Sequence, residues 1–517
     1  MKTASRQNGI SDIFGRSFIL ILAIVFSCFY ADETFAAGPE LGGRLVFGAE
    51  NEFAGFDPLK ARGFAICDAI ANNTIMERLF GLDKAGKLVP VLGLSAKPDA
   101  DGKVWTIKLR RGVMFHDGTP FNADAVAQHW KRILDPKNRY TGLSLLATVK
   151  SVEKEDDLTV RFVLRHKWLP FPHILAEARG LGTFIPSPKA VDADLQNRAP
   201  VGTGPFMFKQ WRSGDSFIVI RNPNYWQKGK PYLDEIVFKL VPDHQTRYAG
   251  LKSGQMDMIW MDRGNIIQDA EKEPSLVHYQ AAGNGAEIFV LNTTKPPFDN
   301  PDLRRALAHA WDQRVCVRVS YHDAIPFITQ PLGDAISCDD VRYPEFNTQL
   351  AKQIVSRMGG PFEIECLHSD TIRGREQGEL LQQFGKKAGI DVKTTGLSFG
   401  PVIKKVYTKD YQIATWRMPS AVDLGATLYT SFHSKSRGNV TGYNSPQMDA
   451  LLEAQMTETD LTRRRQILCD IVKLINQDVP IIYRGGQEYH VLAGSYVRGF
   501  HDFKNGIAQI SELWLNR

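Results

Sequence analysis

A serine between two glycines is the pattern in this sequence that most resembles a reaction centre. Residues 396–400 (GLSFG) fit G-x-S-x-G, in which a sharp strand-to-helix turn presents a nucleophilic serine. A strand-like run at Ile390 and Val392 precedes the pattern, but Pro401 follows it and no HGGG-type glycine cluster comes before it. Many residues could complete a triad by chain order, so the match carries little weight. A serine hydrolase using Ser398 is the least favoured function.

Residues suited to metal or nucleotide chemistry form no convincing set. Residues 116–118 (HDG) indicate a turn after a strand rather than a metal-binding site. The cysteines form no Cys-x-x-Cys pair and no Cys/His ligand spacing, which argues against zinc. Residues 283–285 (GNG) lack the third glycine of a dinucleotide loop, and the sequence contains no G-x-x-x-x-G-K-[ST] motif. We therefore expect no metal, no cofactor and no catalytic residue.

The composition is typical of a globular chain. Of 517 residues, 43% are hydrophobic and 23% are charged, which excludes a disordered chain and a polytopic membrane protein. The net charge is +6 without a long basic run, so nucleic acid is not expected as a partner. The longest run, residues 463–465 (RRR), falls in a helical pattern and is interpreted as a solvated helix face. The length predicts about three domains.

The N-terminus has the pattern of a secretory signal peptide. Lys2, Arg6 and Arg16 precede an apolar run at residues 17–29, and small residues at positions 34 and 36 offer a cleavage site after Ala36. The run is too short for an ordinary spanning helix, which needs about 20 residues. An uncleaved anchor, and a lipoprotein modified at Cys28, are the alternatives. We predict an exported protein that loses residues 1–36.

Five cysteines remain after residue 36, and an exported protein can keep disulfides. They are Cys67, Cys316, Cys338, Cys366 and Cys469. A bridge between Cys316 and Cys338 is one option because the two are close in sequence. The favoured interpretation is that all five are small buried apolar residues.

Alternating and helical patterns predict a mixed α/β protein. Strands are predicted where apolar residues alternate, at 105–109, 160–164 and 236–240. Asn122 is predicted to cap a helix that ends at residues 135–136 (DP). Further helices are predicted after residues 445–446 (SP), with proline at the first helical position, and over the apolar stripe that ends at Pro480. The sequence shows no internal repeat and no low-complexity linker.

Four stretches of motifs occur in a fixed order along the chain. They are residues 96–126 (AKPDADGKVWTIKLRRGVMFHDGTPFNADAV); residues 200–206 (PVGTGPF) with Trp211, 221–226 (RNPNYW) and 231–234 (PYLD); residues 291–293 (LNT) with 297–298 (PF) and 303–307 (LRRAL); and Asn439 with 443–446 (YNSP) and 449–452 (DALL). In this order and spacing, the sequence resembles the extracytoplasmic solute-binding proteins of ABC importers, family 5. That group contains dipeptide-, oligopeptide- and nickel-binding proteins.

The resemblance implies an α/β, two-lobed periplasmic-binding-protein fold with an additional third domain (cluster C type). By analogy, lobe I comprises residues 37–75, 201–288 and 487–517, the extra domain comprises 76–200, and lobe II comprises 289–486. The lobes are expected to close around a ligand. The closed protein, expected to be a periplasmic monomer, would then dock on ABC permease subunits in the inner membrane.

The resemblance also suggests ligand-binding residues. Relatives that bind peptides pair an Asp with the ligand's α-amino group, a few residues after a Trp and shortly before Asp-Pro. Here residues 416–424 (WRMPSAVDL) correspond: Asp423 matches the later Asp, and Pro419 or Ser420 replaces the earlier one. A buried ammonium without its carboxylate would be costly, unless Asp423 takes that role.

Two further features of the same region bear on the ligand. The Arg417 guanidinium can hold a carboxylate or phosphate, and the Trp416 indole offers a stacking face. We predict that Arg417 faces the cleft, with a solvated Arg beside a core Trp as the alternative. Arg62 and Phe64 fall in a loop that lines the cleft in relatives. Uptake of a peptide is the favoured function, and a non-peptide anionic solute (an opine, a sugar acid or a metal chelate) on the same fold is the alternative.

Overall fold

The computed structural model describes residues 38–517, except for residues 62–65, 84–86, 139, 141–145, 147, 178–181, 332–337, 419–422 and 501–506. The predicted signal peptide, Arg62, Phe64, Pro419 and Ser420 lie outside the described residues. Residues Leu41–Arg517 form one compact unit. None of the helices in the described ranges is long and apolar enough to cross a membrane.

The strands form one large sheet and three small ones. In chain order they are β1 (Arg44–Ala49), β2 (Phe80–Leu82), β3 (Leu88–Pro90), β4 (Gly93–Pro98), β5 (Val104–Leu109), β6 (Val149–Asp156), β7 (Thr159–Leu164), β8 (Phe206–Arg212), β9 (Ser216–Arg221), β10 (Glu235–Leu240), β11 (Met258–Met261), β12 (Leu276–Leu291), β13 (Phe362–Ser369), β14 (Ile390–Leu397), β15 (Ile413–Arg417), β16 (Ile481–Gly494), β17 (Val497–Arg498) and β18 (Trp514–Leu515). The large sheet has the order β14-β13-β15-β12-β16-β11-β1-β10-β9-β8.

Helices connect these strands and cover the sheets. They are α1 (Ile66–Ile75), α2 (Ala123–Leu134), α3 (Phe171–Ile174), α4 (Pro188–Asp192), α5 (His244–Lys252), α6 (Gly264–Ala270), α7 (Pro301–Ala310), α8 (Gln313–Tyr321), α9 (Thr348–Arg357), α10 (Ile372–Ala388), α11 (Phe399–Tyr407), α12 (Leu424–Phe432), α13 (Pro446–Thr457) and α14 (Leu461–Asp478), with a 3₁₀ turn at Pro136–Asn138.

Two long antiparallel strands, β12 and β16, join the two halves of the large sheet. We call β8, β9, β10, β1 and β11 the first half, and β13, β14 and β15 the second half. One end of β16 pairs with β11, and β12 pairs with β15 at its far end. The register between β12 and β16 shifts at residues 282–288, so the ladder is interrupted where the halves meet. A methyl group at Gly283 would lie 2.6 Å from the Tyr489 ring, which explains the glycine there.

The smaller four-stranded sheet, in the order β4-β5-β7-β6, has its own apolar core with α2. The strands predicted at 105–109 and 160–164 are β5 and β7, and the strand predicted at 236–240 is β10 in the large sheet. The Trp130 ring lies edge-on to Phe162 at 5.1 Å between centroids. Asn122 caps α2 as predicted, accepting a hydrogen bond from the Ala125 amide at 3.1 Å. The assignment of residue ranges to lobes and to an extra domain stays a prediction.

The two predicted C-terminal helices are confirmed, with one correction. Ser445 caps α13 with Pro446 at the first helical position, and α14 ends at Asp478. The expectation that residues 463–465 form a solvated face is wrong for Arg464. Its side chain is only 13% exposed and hydrogen-bonds Gln455 and Asp423. Helix α14 turns that side chain toward α12, while Arg463 stays in solvent.

The disulfide pairing differs from both options considered for the sequence. Cys338 is bonded to Cys469 on α14, across 131 residues of chain. Cys67, Cys316 and Cys366 are free, buried thiols. Sequence proximity favoured Cys316 as the partner of Cys338, but α8 directs Cys316 into the apolar core beside Trp311 and Phe289.

Candidate functional site

The carboxyl ends of the strands in the two halves face each other across the β12–β16 junction. Strand β11 runs parallel to β1 and antiparallel to β16, with Met261 opposite His490. In the second half, β15 runs parallel to β13, and Arg417 at its end lies opposite Glu287 on β12. Ligands of open α/β sheets bind outside the carboxyl ends of their strands. The structure therefore places a candidate cleft at this junction.

Charged side chains from both halves gather at these strand ends. We call them the cleft cluster: Glu50, Arg247, Asp262, Glu287, Arg373, Arg417 and Arg484. Glu50 follows β1 and Asp262 follows β11, whereas Arg373 begins α10 and Arg417 ends β15. Four guanidinium groups thus meet three carboxylates, which leaves one positive charge in excess. Such a cluster favours a ligand of net negative charge.

Arg417 is the most exposed guanidinium of the cleft cluster, and it offers unused hydrogen-bond donors. Its Nε bonds to Oε1 of Glu287, its cross-strand neighbour. The Arg417 side chain is 41% exposed, whereas that of Glu287 is 8% exposed. Within the described ranges, neither terminal amino group of Arg417 has a hydrogen-bond partner. The geometry leaves those two groups available to an anion in the bidentate manner that guanidinium groups favour.

Glu287 is held as a carboxylate by the surrounding arginines. Burial alone would raise its pKa, but the charges of Arg417, Arg484 and Arg373 bring the pKa below its ordinary value. Nη2 of Arg484 lies 3.2 Å from Oε2 of Glu287, and the Tyr321 hydroxyl donates to the same oxygen at 3.4 Å. The carboxylate is therefore fixed from two sides, and it fixes Arg417 in turn.

Arg484 is buried and has a partner at every nitrogen. Its Nε donates to the Ile288 carbonyl at 2.9 Å, and Nη2 donates to the Trp416 carbonyl at 2.7 Å. Nη1 bonds to Oε1 of Gln377 and lies 3.3 Å from the Tyr321 hydroxyl. A buried charge is tolerated only when its donors are hydrogen-bonded in this way. Arg484 thus ties β12, β15, β16 and α10 together beneath the cleft.

In the described part of the chain, two ion pairs cross between the two halves. Nη1 of Arg373, on α10, bonds to Oδ2 of Asp262, which follows β11. Beside it, Arg263 donates to the Ser320 carbonyl at 3.2 Å and lies 3.6 Å from Glu376. Burial works to raise the pKa of Asp262, but the charges of Arg373 and Arg263 bring it below its ordinary value. These contacts join the two halves directly.

Trp416 and Arg417 are not brought together as the sequence suggested. Adjacent residues of a strand point to opposite faces of the sheet. The indole of Trp416 packs against the second-half core, with its ring 5.9 Å from that of Tyr407. Arg417 faces Glu287 instead. A ligand contact by Trp416 stays a prediction, but the indole is not placed to stack beside the guanidinium.

Asp423 is engaged within the protein. It caps α12 by accepting a hydrogen bond from the Ala426 amide at 2.8 Å, and both of its oxygens lie 2.9 Å from Nη2 of Arg464. A ligand-binding role for Asp423 stays a prediction, although these contacts favour a structural role. The predicted ligand residues Arg62 and Phe64 lie outside the described residues, so their place in the cleft also stays a prediction.

The other sequence motifs occupy structural positions. Ser398 stands at the start of α11, and no described histidine hydrogen-bonds its hydroxyl group. Nε2 of His116 bonds to the Gly204 carbonyl at 2.9 Å, and the Asp117 carboxylate accepts hydrogen bonds from Thr119, so residues 116–118 form the expected turn.

Sequence reasoning missed most of the cleft cluster. Glu287 and Arg484 each stand beside an uninterrupted apolar strand segment, at 288–291 and 481–483. A charge within an apolar strand is a signal, since it must find a partner when buried. Asp262 carries the same signal, since it follows the apolar strand segment 258–261, whereas Arg373 lies among polar residues in the first turn of α10 and carries none.

Comparison with known proteins identifies the family. The family model described as "Bacterial extracellular solute-binding proteins, family 5 Middle" matches residues 87–439, more than half of the chain. This chain is a family 5 solute-binding protein. The predicted family is thereby confirmed. The family consists of substrate-binding proteins rather than enzymes.

Curated relatives are similar to this family 5 protein over most of the length of both chains. The protein named glutathione-binding protein GsiB from Escherichia coli strain K12 is 33% identical over 454 residues, which cover 85% of this chain and 88% of the relative. GsiB from Pectobacterium atrosepticum is 27% identical over 480 residues, which cover 88% and 91% of the two chains.

Solved structures confirm the predicted α/β fold of two-lobed periplasmic binding proteins. The DppA protein of Helicobacter pylori, in complex with the peptide STSA, has a TM-score of 0.84 and 25% identity, and covers 92% of this chain and 99% of that one. AgaA of Agrobacterium tumefaciens R10, in complex with agropinic acid, has a TM-score of 0.83 and 25% identity, covering 92% and 100%. The family 5 protein is thus a periplasmic solute-binding component of an ABC importer. Such components bind a small ligand or peptide and interact with a membrane permease.

Proposed function

We propose that this family 5 protein captures a small peptide-class ligand of net negative charge and delivers it to an ABC permease for uptake. The observation that carries the proposal is Arg417, whose two terminal amino groups stand without described partners at the candidate cleft while Glu287 fixes its Nε. The excess positive charge of the cleft cluster adds to the argument. Names of relatives point the same way, since GsiB is called glutathione-binding and DppA was solved with a peptide.

Glutathione is a reasonable first probe on chemical grounds. It is a tripeptide analogue with two carboxylates and one ammonium group, so its net charge near neutral pH is negative. A ligand of that charge balances the single excess guanidinium of the cleft cluster. One carboxylate would lie against Arg417, in the bidentate geometry that shortens and strengthens such hydrogen bonds.

A non-peptide anionic solute is the second candidate. Asp423 is occupied by Arg464 and the α12 amide, so the carboxylate that the sequence offered for a peptide's amino group is engaged elsewhere. AgaA, of similar fold, was solved with agropinic acid. An opine or a sugar acid would need Arg417 but no ammonium partner.

The proposal includes export of the protein, its oligomeric state and its partners. Cleavage after Ala36 releases a monomer into the periplasm, where it binds its ligand without altering it and without a cofactor. The net charge of +6, spread over 517 residues without a long basic run, supports the absence of a nucleic-acid partner.

Two measurements test the proposal. Native mass spectrometry of protein purified from periplasm would identify a co-purified ligand. Calorimetric titration would then compare wild type, Arg417→Ala and Arg463→Ala with glutathione, acidic peptides and an opine. We expect Arg417→Ala to lose at least tenfold in affinity, and Arg463→Ala to bind as wild type because its side chain is 79% exposed. Unchanged affinity in Arg417→Ala removes Arg417 from the site, and turnover of the bound compound overturns a pure binding function.

A further inference from the structure

Glu50 differs from the other two carboxylates of the cleft cluster in what it contacts. Asp262 is hydrogen-bonded to Arg373, and Glu287 is hydrogen-bonded to Arg417 and Arg484. The nearest guanidinium nitrogen of Glu50 is Nη2 of Arg247, 4.0 Å from Oε2. That distance is too long for a hydrogen bond. In the described part of the chain, Glu50 is therefore the member whose charge is least compensated.

Arg247 is not free to move closer to Glu50. Its Nε donates to the Trp260 carbonyl at 3.1 Å, and Nη1 donates to the Val241 and Pro242 carbonyls at 2.7 and 2.9 Å. The side chain is 1% exposed, so the surrounding core fixes it in place. Among the described residues, the Glu50 carboxylate accepts a hydrogen bond from the neighbouring Asn51 side-chain amide at 3.1 Å. Glu50 thus keeps acceptor capacity that the protein itself does not use.

Glu50 lies at the candidate cleft, where it can contact a ligand. It follows the last residue of β1, whose carboxyl end lies beside that of β11 and faces the second half of the sheet. Its side chain is 28% exposed. Burial and the charge of Asp262 raise the pKa of Glu50, and the charges of Arg247, Arg373 and Arg417 oppose that rise. A cation placed at Glu50 would relieve the burial of its charge.

We infer that Glu50 receives the ammonium group of the ligand, while Arg417 receives an anionic group from the opposite half. This inference rests on the proposed function and narrows it: the ligand is an amino-acid-type zwitterion with a further negative charge. Its cationic end contacts the first half of the sheet and its anionic end contacts the second. The ligand then bridges the two halves through opposite charges.

The experiment compares pairs of probes that differ only at the amino group. Glutathione and a panel of acidic di- and tripeptides are titrated calorimetrically in free and N-acetylated form against wild type, Glu50→Gln, Glu50→Asp and the control Glu155→Gln. Glu155 lies on β6 with an exposed side chain. We expect wild type and the control to prefer the free amine at least tenfold. Glu50→Gln should reduce that preference to less than twofold by weakening the free-amine form alone, and Glu50→Asp should retain part of it.

The possible results separate this inference from the proposed function. Equal binding of both probe forms by wild type, or an equal loss for both forms in Glu50→Gln, overturns the role of Glu50 and leaves peptide capture standing. Binding of no probe in either form overturns both proposals. Equal binding of both probe forms by wild type needs no variant, so that result overturns the role of Glu50 even where Glu50→Gln folds poorly.

Discussion

Both carboxylate oxygens of Asp423 lie 2.9 Å from Nη2 of Arg464, across 41 residues of chain. The same carboxylate caps α12, and Arg464 also binds Gln455 on α13. One buried ion pair therefore fastens the start of α12 to α13 and α14. This contact makes Asp423 a structural residue by its geometry.

The first prediction concerns this pair. Asp423→Ala leaves Arg464 buried without its carboxylate and removes the cap of α12, so we expect the free energy of unfolding to fall by about 3 kcal/mol. Urea denaturation would measure it. Arg463→Ala, one residue away but in solvent, should change stability by less than about 0.5 kcal/mol. If Asp423→Ala instead keeps its stability and loses ligand affinity, Asp423 is a ligand residue after all.

The ion pair between Asp262 and Arg373, which joins the two halves, yields a second prediction. Asp262→Asn removes the charge that holds Arg373 across the junction. The arrangement in which the halves meet should then be less populated, which lowers apparent ligand affinity by the same fraction. Small-angle scattering of ligand-free protein should show a larger radius of gyration. The charge-swapped variant Asp262→Arg with Arg373→Asp should recover part of the compactness, and identical scattering from all three proteins would contradict the prediction.

A third prediction concerns the Cys338–Cys469 disulfide. It ties the segment after α8 to α14 across 131 residues, so its loss frees a long loop in the unfolded chain. We expect Cys338→Ser with Cys469→Ser to lower the free energy of unfolding by about 2–5 kcal/mol. Reductant should destabilise wild type similarly and leave the double variant unchanged. An equal effect of reductant on both proteins would point to another cause.

Glu77 gives a prediction about pH. Burial raises its pKa to about 7, although Trp226, Tyr225 and Thr203 donate hydrogen bonds to it at 2.8–2.9 Å. Between pH 4.5 and about 7, the Glu77 carboxyl is therefore protonated in the folded state and ionised in the unfolded state. The stability due to this group is fully present below pH 4.5 and is lost as pH rises through about 7, by about 3 kcal/mol in all.

Glu77→Gln isolates that contribution, because an amide does not titrate. The difference in unfolding free energy between wild type and Glu77→Gln, measured by urea denaturation at several pH values, should fall steadily between pH 4.5 and 7. A difference that is constant across this range would show that Glu77 titrates normally in the folded protein.

The helices and strands that the sequence predicted correctly depend on interactions between residues a few positions apart. The Asn122 cap, the alternation in β5 and β7, and the proline at the start of α13 all depend on residues within one helical turn or a few strand positions. The residues of the cleft cluster could be predicted from the sequence only in part. The alternation rule that found β5 also implies that Trp416 and Arg417 face opposite ways, once 413–417 is known to be a strand.

The sequence by itself determined the family, the α/β class, and several helices and strands with their caps. Only the tertiary structure decided that Arg464 is buried against Asp423, that Cys338 pairs with Cys469, and that Glu50, Asp262, Glu287 and Arg373 meet at one junction. These contacts join residues 41 to more than 130 positions apart. No local pattern encodes them. The cleft contacts follow from how β12 and β16 bring the carboxyl ends of distant strands face to face, and the contacts of Arg464 and Cys469 follow from the packing of α14.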